Sequence, residues 1–513
     1  MNVRIIFAGI AVCSVVWCCP QLALSQNQSS APSGPGIGYA ALFNENCAVC
    51  HGEQLQGAAQ GTSLMGSLKH GDSMEALIKS ISDGFPAQGM PSWAATMKPE
   101  VIKSLALYVA ETRSNFDYVD FNVSNQLEIP AATTTTQLHT FRLHTVIDGL
   151  DPLPYSIQPL PDGRILLTEK TRGLSIISAD GVQGPLIEGT PKAYSDTMSP
   201  GLELQYGLGW LLDVALHPKY EDNGWIYLSF GDRCTACNTI SNTSKLPVSM
   251  VKLVRGKINN NQWVEQETIW EADKAQYGPA PDMAAGGRIA FDKQGHVFLS
   301  IGMKGLDNHT GIQSLRVPWG KIMRFNEDGT VPSDNPFVNT ADALPSIWSL
   351  GHRSPQGLEF NYATSELWET EMGPRGGDEV NRILPGHNYG WPLYSKGLNY
   401  DGTPVDYGKT MNIKYDLKDI DQPVVDLTPS PAVSSFIFYT GDKFPKWKNN
   451  IIVGSLKARS VYRIAIENNE ESQRETLVDG LARIRDIEQD PAGNILLLLE
   501  HKSGGQIVRM SPP

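Results

Sequence analysis

The chain has 513 residues, with 42 Lys and Arg against 55 Asp and Glu and a net charge of −13. Its length predicts two or more domains, and 41 % hydrophobic with 19 % charged residues is the composition of a folded globular protein. An acidic chain without a basic cluster is a poor match to nucleic acid, which is excluded as an expected partner.

Residues 1–25 read as a secretory signal peptide: Arg4 supplies a basic start, residues 5–17 an apolar run, and Ala23, Leu24 and Ser25 a small-residue cleavage site. The apolar run is short of the roughly 20 residues that a spanning helix needs. A cleaved leader is therefore expected in place of a membrane anchor, and no other segment is long and apolar enough to form a stable span. Its loss removes one positive charge and no acid, leaving 41 against 55, or −14. The expected location is periplasmic or secreted. Of seven cysteines, Cys13, Cys18 and Cys19 leave with the leader. Cys234 and Cys237 are expected to form a local disulfide in an oxidising compartment; a zinc site there lacks two further cysteines.

The remaining pair lies in the run NENCAVCHGEQ, residues 44–54. Cys-x-x-Cys-His is the attachment signature of haem c. Cys47 and Cys50 are expected to tether the porphyrin and His51 to be its proximal iron ligand. The second axial ligand should be a soft sulfur, and Met90, in the Gly/Pro-punctuated AQGMPSW, is preferred over Met65 and Met97. Two helices complete the unit. One has Ser73 as N-cap, apolar Met74, Leu77, Ile78 and Ile81, and Gly84 as its stop. The other has Pro99 in its first turn and Val101, Leu105, Tyr108 and Val109 on one face. Residues 37–113 together resemble a class I cytochrome c.

Residues 114–136 carry no helical period and read as a connector. From 137 to 513 a turn rich in Pro, Asp, Gly or Asn recurs before a short apolar strand: PLPDGRILLTEK, LHPKYEDNGWIYLSF, FDKQGHVFLSIG, FNYATSELWETEMG, FPKWKNNIIVGSL and DPAGNILLLLEH. Such repetition every roughly 40 to 85 residues is the mark of a β-propeller. A β-sandwich is the competing all-β arrangement. The expected fold class is thus a small all-α cytochrome c domain followed by an all-β six-bladed propeller.

The stretches GHRSPQGLEF, LWETEMGPRGGDEVNRILPGHNYGWP, GSLKARSVYR and RIRDI resemble the soluble aldose-sugar (glucose/sorbosone-type) dehydrogenases, six-bladed propellers that use pyrroloquinoline quinone (PQQ) with calcium. The resemblance implies that Arg353, Gln356, Lys457, Arg483 and Arg485 bind the quinone, whose three carboxylates suit fixed cations with planar donors. It also implies a catalytic calcium on the backbone carbonyls of Gly373 and Pro374. A second, structural calcium is implied at Glu379 and the backbone of Tyr389. Oxygen-only ligands of this kind suit that ion.

Four positions depart from the family pattern. The family's catalytic histidine falls on Ala284 in DMAAGGRIAF; Leu208, Ser354 and Leu427 replace a Gln, an Asn and an aromatic residue. Asp282 is the nearest carboxylate in sequence that could replace the missing base. The expected function is a quinohaemoprotein oxidoreductase that oxidises an aldose or related small alcohol or aldehyde. Its electrons would pass to its own haem c and then to a downstream acceptor such as a soluble cytochrome or respiratory-chain component. The competing class is a catalytically silent propeller that binds PQQ or a sugar and uses the haem for relay or sensing. A propeller hydrolase has no nucleophile-base signature here.

Overall fold

The computed structural model describes residues 38–116, 126–195, 207–303, 309 and 311–513. The expected signal peptide and residues 117–125 of the connector lie outside the described residues. Four helices form the N-terminal unit: α1 (Tyr39–Asn46), α2 (Ala48–His51), α3 (Met74–Asp83) and α4 (Pro99–Phe116). The Ser73 hydroxyl accepts the Ala76 amide at 3.2 Å and Gly84 closes α3, so both ends of that helix follow their capping residues. Phe43, Leu55, Leu77 and Leu105 build the core between the helices.

From residue 134 on, the described residues form six antiparallel sheets, with only short helical turns between strands. Each of the six turn-strand repeats falls on the hairpin that joins the first and second strands of one blade. The first strands of successive blades, Pro154–Pro159, Leu211–Leu216, Gly286–Phe291, Pro355–Asn361, Val433–Phe438 and Arg483–Gln489, touch in turn and close a ring. The arrangement is a propeller and not a sandwich, because no two sheets stack face to face as a closed pair; each packs its apolar faces against both neighbours. The fourth strand of blade six comes from the other end of the domain: Thr140–Leu150 pairs with Gly505–Ser511, Leu143 opposite Met510. Joining the ends inside one sheet leaves the ring without an open blade.

The connector is less irregular than its composition suggests. α4 runs on to Phe116, and Thr134–Thr135 pairs with Phe141 and Thr140; the β-branched threonines there favour extended backbone.

The helical unit is seated on blade four. The Tyr39 amide donates to the Gly402 carbonyl at 2.8 Å, and Leu398 belongs to the helical core. Arg375 lies 4.5 Å from the centre of the Tyr108 ring and donates to the Thr112 hydroxyl at 2.5 Å. Gly376 has φ +80°, and any Cβ there would press on Leu107 of α4.

Phe141 in the closing strand is fully buried, edge-on to Trp447 at 6.3 Å. Phe141→Ala should cost about 3 to 5 kcal/mol by removing a core aromatic. Val182→Ala, at an exposed position, should change stability by less than about 0.5 kcal/mol. The denaturant midpoint of the propeller transition checks both.

Candidate functional site

The N-terminal unit places its haem-motif residues together. Cys47 and Cys50 are partly buried at α2 and form no disulfide, and His51 ends that helix. His51 Nδ1 lies 2.8 Å from the Thr62 carbonyl. A carbonyl only accepts, so Nδ1 carries the proton and Nε2 is left for iron, the usual orientation of a ligating imidazole. Met65 and Met97 pack against the helical core. Met90 instead closes the Pro86–Gln88 turn, paired through its backbone with Phe85.

In the propeller, two of the expected quinone ligands, Arg483 and Arg485, meet at one buried carboxylate. Glu500, at the end of its strand, is 1 % exposed. It accepts from Arg483 Nε at 2.9 Å, Arg485 Nε at 2.7 Å and Lys170 Nζ at 2.5 Å. Gln356 orients Arg485 by accepting Nη1 at 3.1 Å. Tyr155 carries Arg288 4.7 Å and Arg485 5.8 Å from its ring centre. Burial, and next Arg485, push the Lys170 ammonium down to about 7 against the pull of Glu500. Against the cost of its own burial, Arg485, Lys170 and Arg483 hold Glu500 well below the usual carboxylate range. Three cations thus converge on one buried carboxylate.

Arg353 lies three residues before Gln356. Its Nη1 donates at 2.8 Å to the carbonyls of Met372 and Gly373, and its guanidinium sits 5.1 Å from the Trp391 ring centre. The Gly373–Pro374 turn is pinned by Asp378, which accepts the amides of Gly373 at 3.0 Å and Val433 at 2.7 Å. A Cβ on Gly373 would collide with the carbonyls of Gly376 and Gly377. The turn is therefore crowded with carbonyl oxygens, the donor chemistry that suits calcium. Asp378 and Glu379 are buried, and Glu379 takes a 3.2 Å hydrogen bond from Asn381. Tyr389 is buried, with its hydroxyl donating to the Arg382 carbonyl.

Lys457 sits 3.7 Å from Glu111, a residue of α4 in the helical unit. Glu111 is 1 % exposed and accepts the Ser430 amide at 2.6 Å. Burial raises this carboxyl, with Lys457 opposing.

Asp282 does turn inward. Its Oδ2 accepts the amides of Gly209 at 2.7 Å and Trp210 at 3.2 Å, and its Oδ1 the Ser249 hydroxyl at 2.7 Å. Any work as a base would compete with these donors. Ala284 is buried among Met303, Ile312, Trp391, Val405 and Tyr407. Ser354 accepts from Gln356 Nε2, and Leu208 and Leu427 are buried. Cys234 and Cys237 are disulfide-bonded. Lys170, Glu500, Tyr155 and Glu111 have no motif of their own; the one available signal was a charge ending the apolar runs ILLTEK and ILLLLEH.

Residues 152–509 match the family model described as Glucose / Sorbosone dehydrogenase, and residues 38–109 that of Cytochrome C oxidase, cbb3-type, subunit III. The Aldose sugar dehydrogenase YliI of Escherichia coli is 32 % identical over 379 residues, covering 73 % of this chain and 93 % of the relative. The crystal structure of the soluble aldose sugar dehydrogenase from Escherichia coli in the apo-form superposes with a TM-score of 0.62 at 28 % identity, covering 73 % of this chain and all of that one. The cbb3-type cytochrome c oxidase subunit CcoP of Azospirillum is 36 % identical over 94 residues, 17 % of this chain and 31 % of that subunit. The chain belongs to the glucose/sorbosone dehydrogenase family, with a cytochrome c domain of the cbb3 type at its N-terminal side. Among the described residues no helix is long and apolar enough to cross a membrane.

The position of Lys170 gives a pH test. A bound carboxylate favours the charged ammonium, and the free group titrates near 7. PQQ affinity should be flat below that pH and fall by up to about tenfold per pH unit above it, as proton uptake becomes part of binding. Lys170→Met should weaken binding and flatten the slope, read by fluorescence titration across pH 6–9.

Proposed function

We propose that the protein is an exported quinohaemoprotein dehydrogenase that oxidises an aldose or a related small alcohol or aldehyde. The reading places PQQ and calcium in the propeller and haem c in the helical domain. Arg483, Arg485 and Lys170 would hold the carboxylates of the quinone, with Arg353, Gln356 and Lys457 at its edge, and the Gly373 and Pro374 carbonyls would face calcium. When bound, PQQ supplies a two-electron acceptor and calcium polarises it. The protein's share is to orient the cofactor and keep water away; Trp391 and Tyr155 are apolar surfaces beside those cations.

One observation carries the reading: the helical domain and the propeller meet at a charge pair whose propeller member, Lys457, is one of the expected quinone ligands. Glu111 of α4 reaches Lys457, and Arg375 next to the calcium turn grips Tyr108 and Thr112 of the same helix. This supports a short internal route for electrons from quinone to haem, and from there to a soluble cytochrome or respiratory-chain component.

A second reading, a catalytically silent PQQ- or sugar-binding propeller with a haem relay or sensing role, is favoured by the apolar setting of Ala284 and by the hydrogen bonds that occupy Asp282.

The test is to load the mature protein with PQQ and calcium, add a panel of aldoses and small alcohols, and follow the haem absorbance. Reduction by at least one of them is expected; no reduction with the whole panel, despite bound PQQ, would favour the silent propeller. Glu111→Lys sets like charges against Lys457, a juxtaposition that costs several kcal/mol at an interface. It should slow haem reduction at least about tenfold if that cost is spent on domain docking, while reduction of an added dye persists.

A further inference from the structure

Buried between the end of blade three and the second strand of blade four lies a group of ionisable side chains that the proposed reaction does not use. His352 follows the last strand of blade three (Ile347–Leu350), and Glu369 and Glu371 share one face of the second strand of blade four (Glu366–Glu371). His352 and Glu369 are fully buried and Glu371 is 5 % exposed. One ligand atom from each lies within 4.8 Å of the other two.

The hydrogen bonding of this group is incomplete. His352 Nδ1 is 2.8 Å from Glu369 Oε2, yet neither that nitrogen nor either Glu369 oxygen makes a hydrogen bond of acceptable geometry. Asn381, directly opposite Glu369 in the ladder, also leaves its buried Oδ1 without a partner. Unsatisfied buried atoms are rare and costly, and here several occur within one ladder step. The other ring nitrogen of His352 is 2.8 Å from the Ser349 hydroxyl. That hydroxyl can accept the Nε2 proton and turn the Nδ1 lone pair toward the carboxylates, the outer contact that ligating histidines commonly have. Burial pushes the imidazole down to about 4, so the ring is neutral at physiological pH.

We propose that His352, Glu369 and Glu371 bind one divalent transition cation of the Zn2+ or Mn2+ class, with Asn381 Oδ1 available as a further oxygen. A neutral imidazole and two carboxylates balance a divalent charge, which removes the penalty of burying two like-charged acids. The nitrogen donor separates this site from the oxygen-only candidates at Gly373, Pro374 and Glu379, since imidazole suits zinc, iron and their neighbours better than calcium. The cation would also steady the cradle. Glu371 accepts the Arg353 amide at 2.7 Å, so fixing Glu371 fixes the backbone that presents Arg353. The competing occupant is a proton: burial raises Glu369 well above the usual carboxylate range.

The test needs no PQQ and stands apart from the proposed dehydrogenase activity. Full-length protein purified without chelator is assayed for metals by mass spectrometry and for haem iron by pyridine haemochrome. One equivalent of zinc, manganese or non-haem iron per chain is expected. After stripping with dipicolinate, Zn2+ should raise the melting temperature where Ca2+ does not. Glu369→Gln, which keeps the shape of the side chain, should weaken Zn2+ binding at least about tenfold, and Ser349→Ala about 10- to 100-fold, as outer-contact losses do. Substoichiometric metal in the wild type, together with no Zn2+- or Mn2+-dependent shift in the stripped protein, would overturn the proposal and leave Glu369 holding a proton.

Discussion

The ion cluster at Glu500 organises the rest of the propeller's centre. One carboxylate, removed from water, holds Lys170 from blade one and Arg483 and Arg485 from blade six. Removing it would leave three buried cations facing one another, a far worse state than the pair-by-pair sum suggests. Its effect is also directional. Glu500 engages Arg483 and Arg485 on their Nε sides, and Gln356 fixes the plane of Arg485. A second buried network lies beside it: Arg288 spans Asp213 and Asp486 at 3.0 and 2.9 Å, tying blades two, three and six together. The two networks share Tyr155, whose hydroxyl donates to the Gly286 carbonyl.

The same economy of charge joins the two domains. Glu111 would be a costly residue to bury in a helix, but the Ser430 amide and Lys457 receive it. Lys457 thereby belongs to both halves of the molecule. The propeller cation that receives Glu111 thus helps to locate α4 of the helical domain. Gly376 permits the close approach, because a side chain there would strike Leu107.

The fold was largely legible in the sequence because its signals are local. A turn followed by an apolar strand marks the first hairpin of every blade, and the caps Ser73 and Gly84 bound their helix. Candidate site residues were legible where a motif points to them, as with His51 or Arg353. They were not legible where function arises from distant pairs. Lys170 and Glu500 are 330 positions apart, and Glu111 and Ser430 are 319 apart; each alone reads as a strand-end or helix-surface charge. The closing strand was similarly hidden, since Thr140–Leu150 finds its partner only at the far end of the chain. Asp282 shows the converse. Its sequence position suggests a base, while its hydrogen bonds to Gly209, Trp210 and Ser249 are those of a loop anchor.

In the proposed enzyme the cluster at Glu500 seats a tricarboxylate quinone. The decisive measurement is an equilibrium titration of cofactor-free protein with PQQ in excess calcium, comparing wild type with Arg485→Ala. A charge-assisted hydrogen bond is worth about 1.5 to 3 kcal/mol, so loss of this guanidinium should weaken binding about 10- to 150-fold from a single saturable site. Equal affinity in both proteins, or no saturable binding in the wild type, would contradict it.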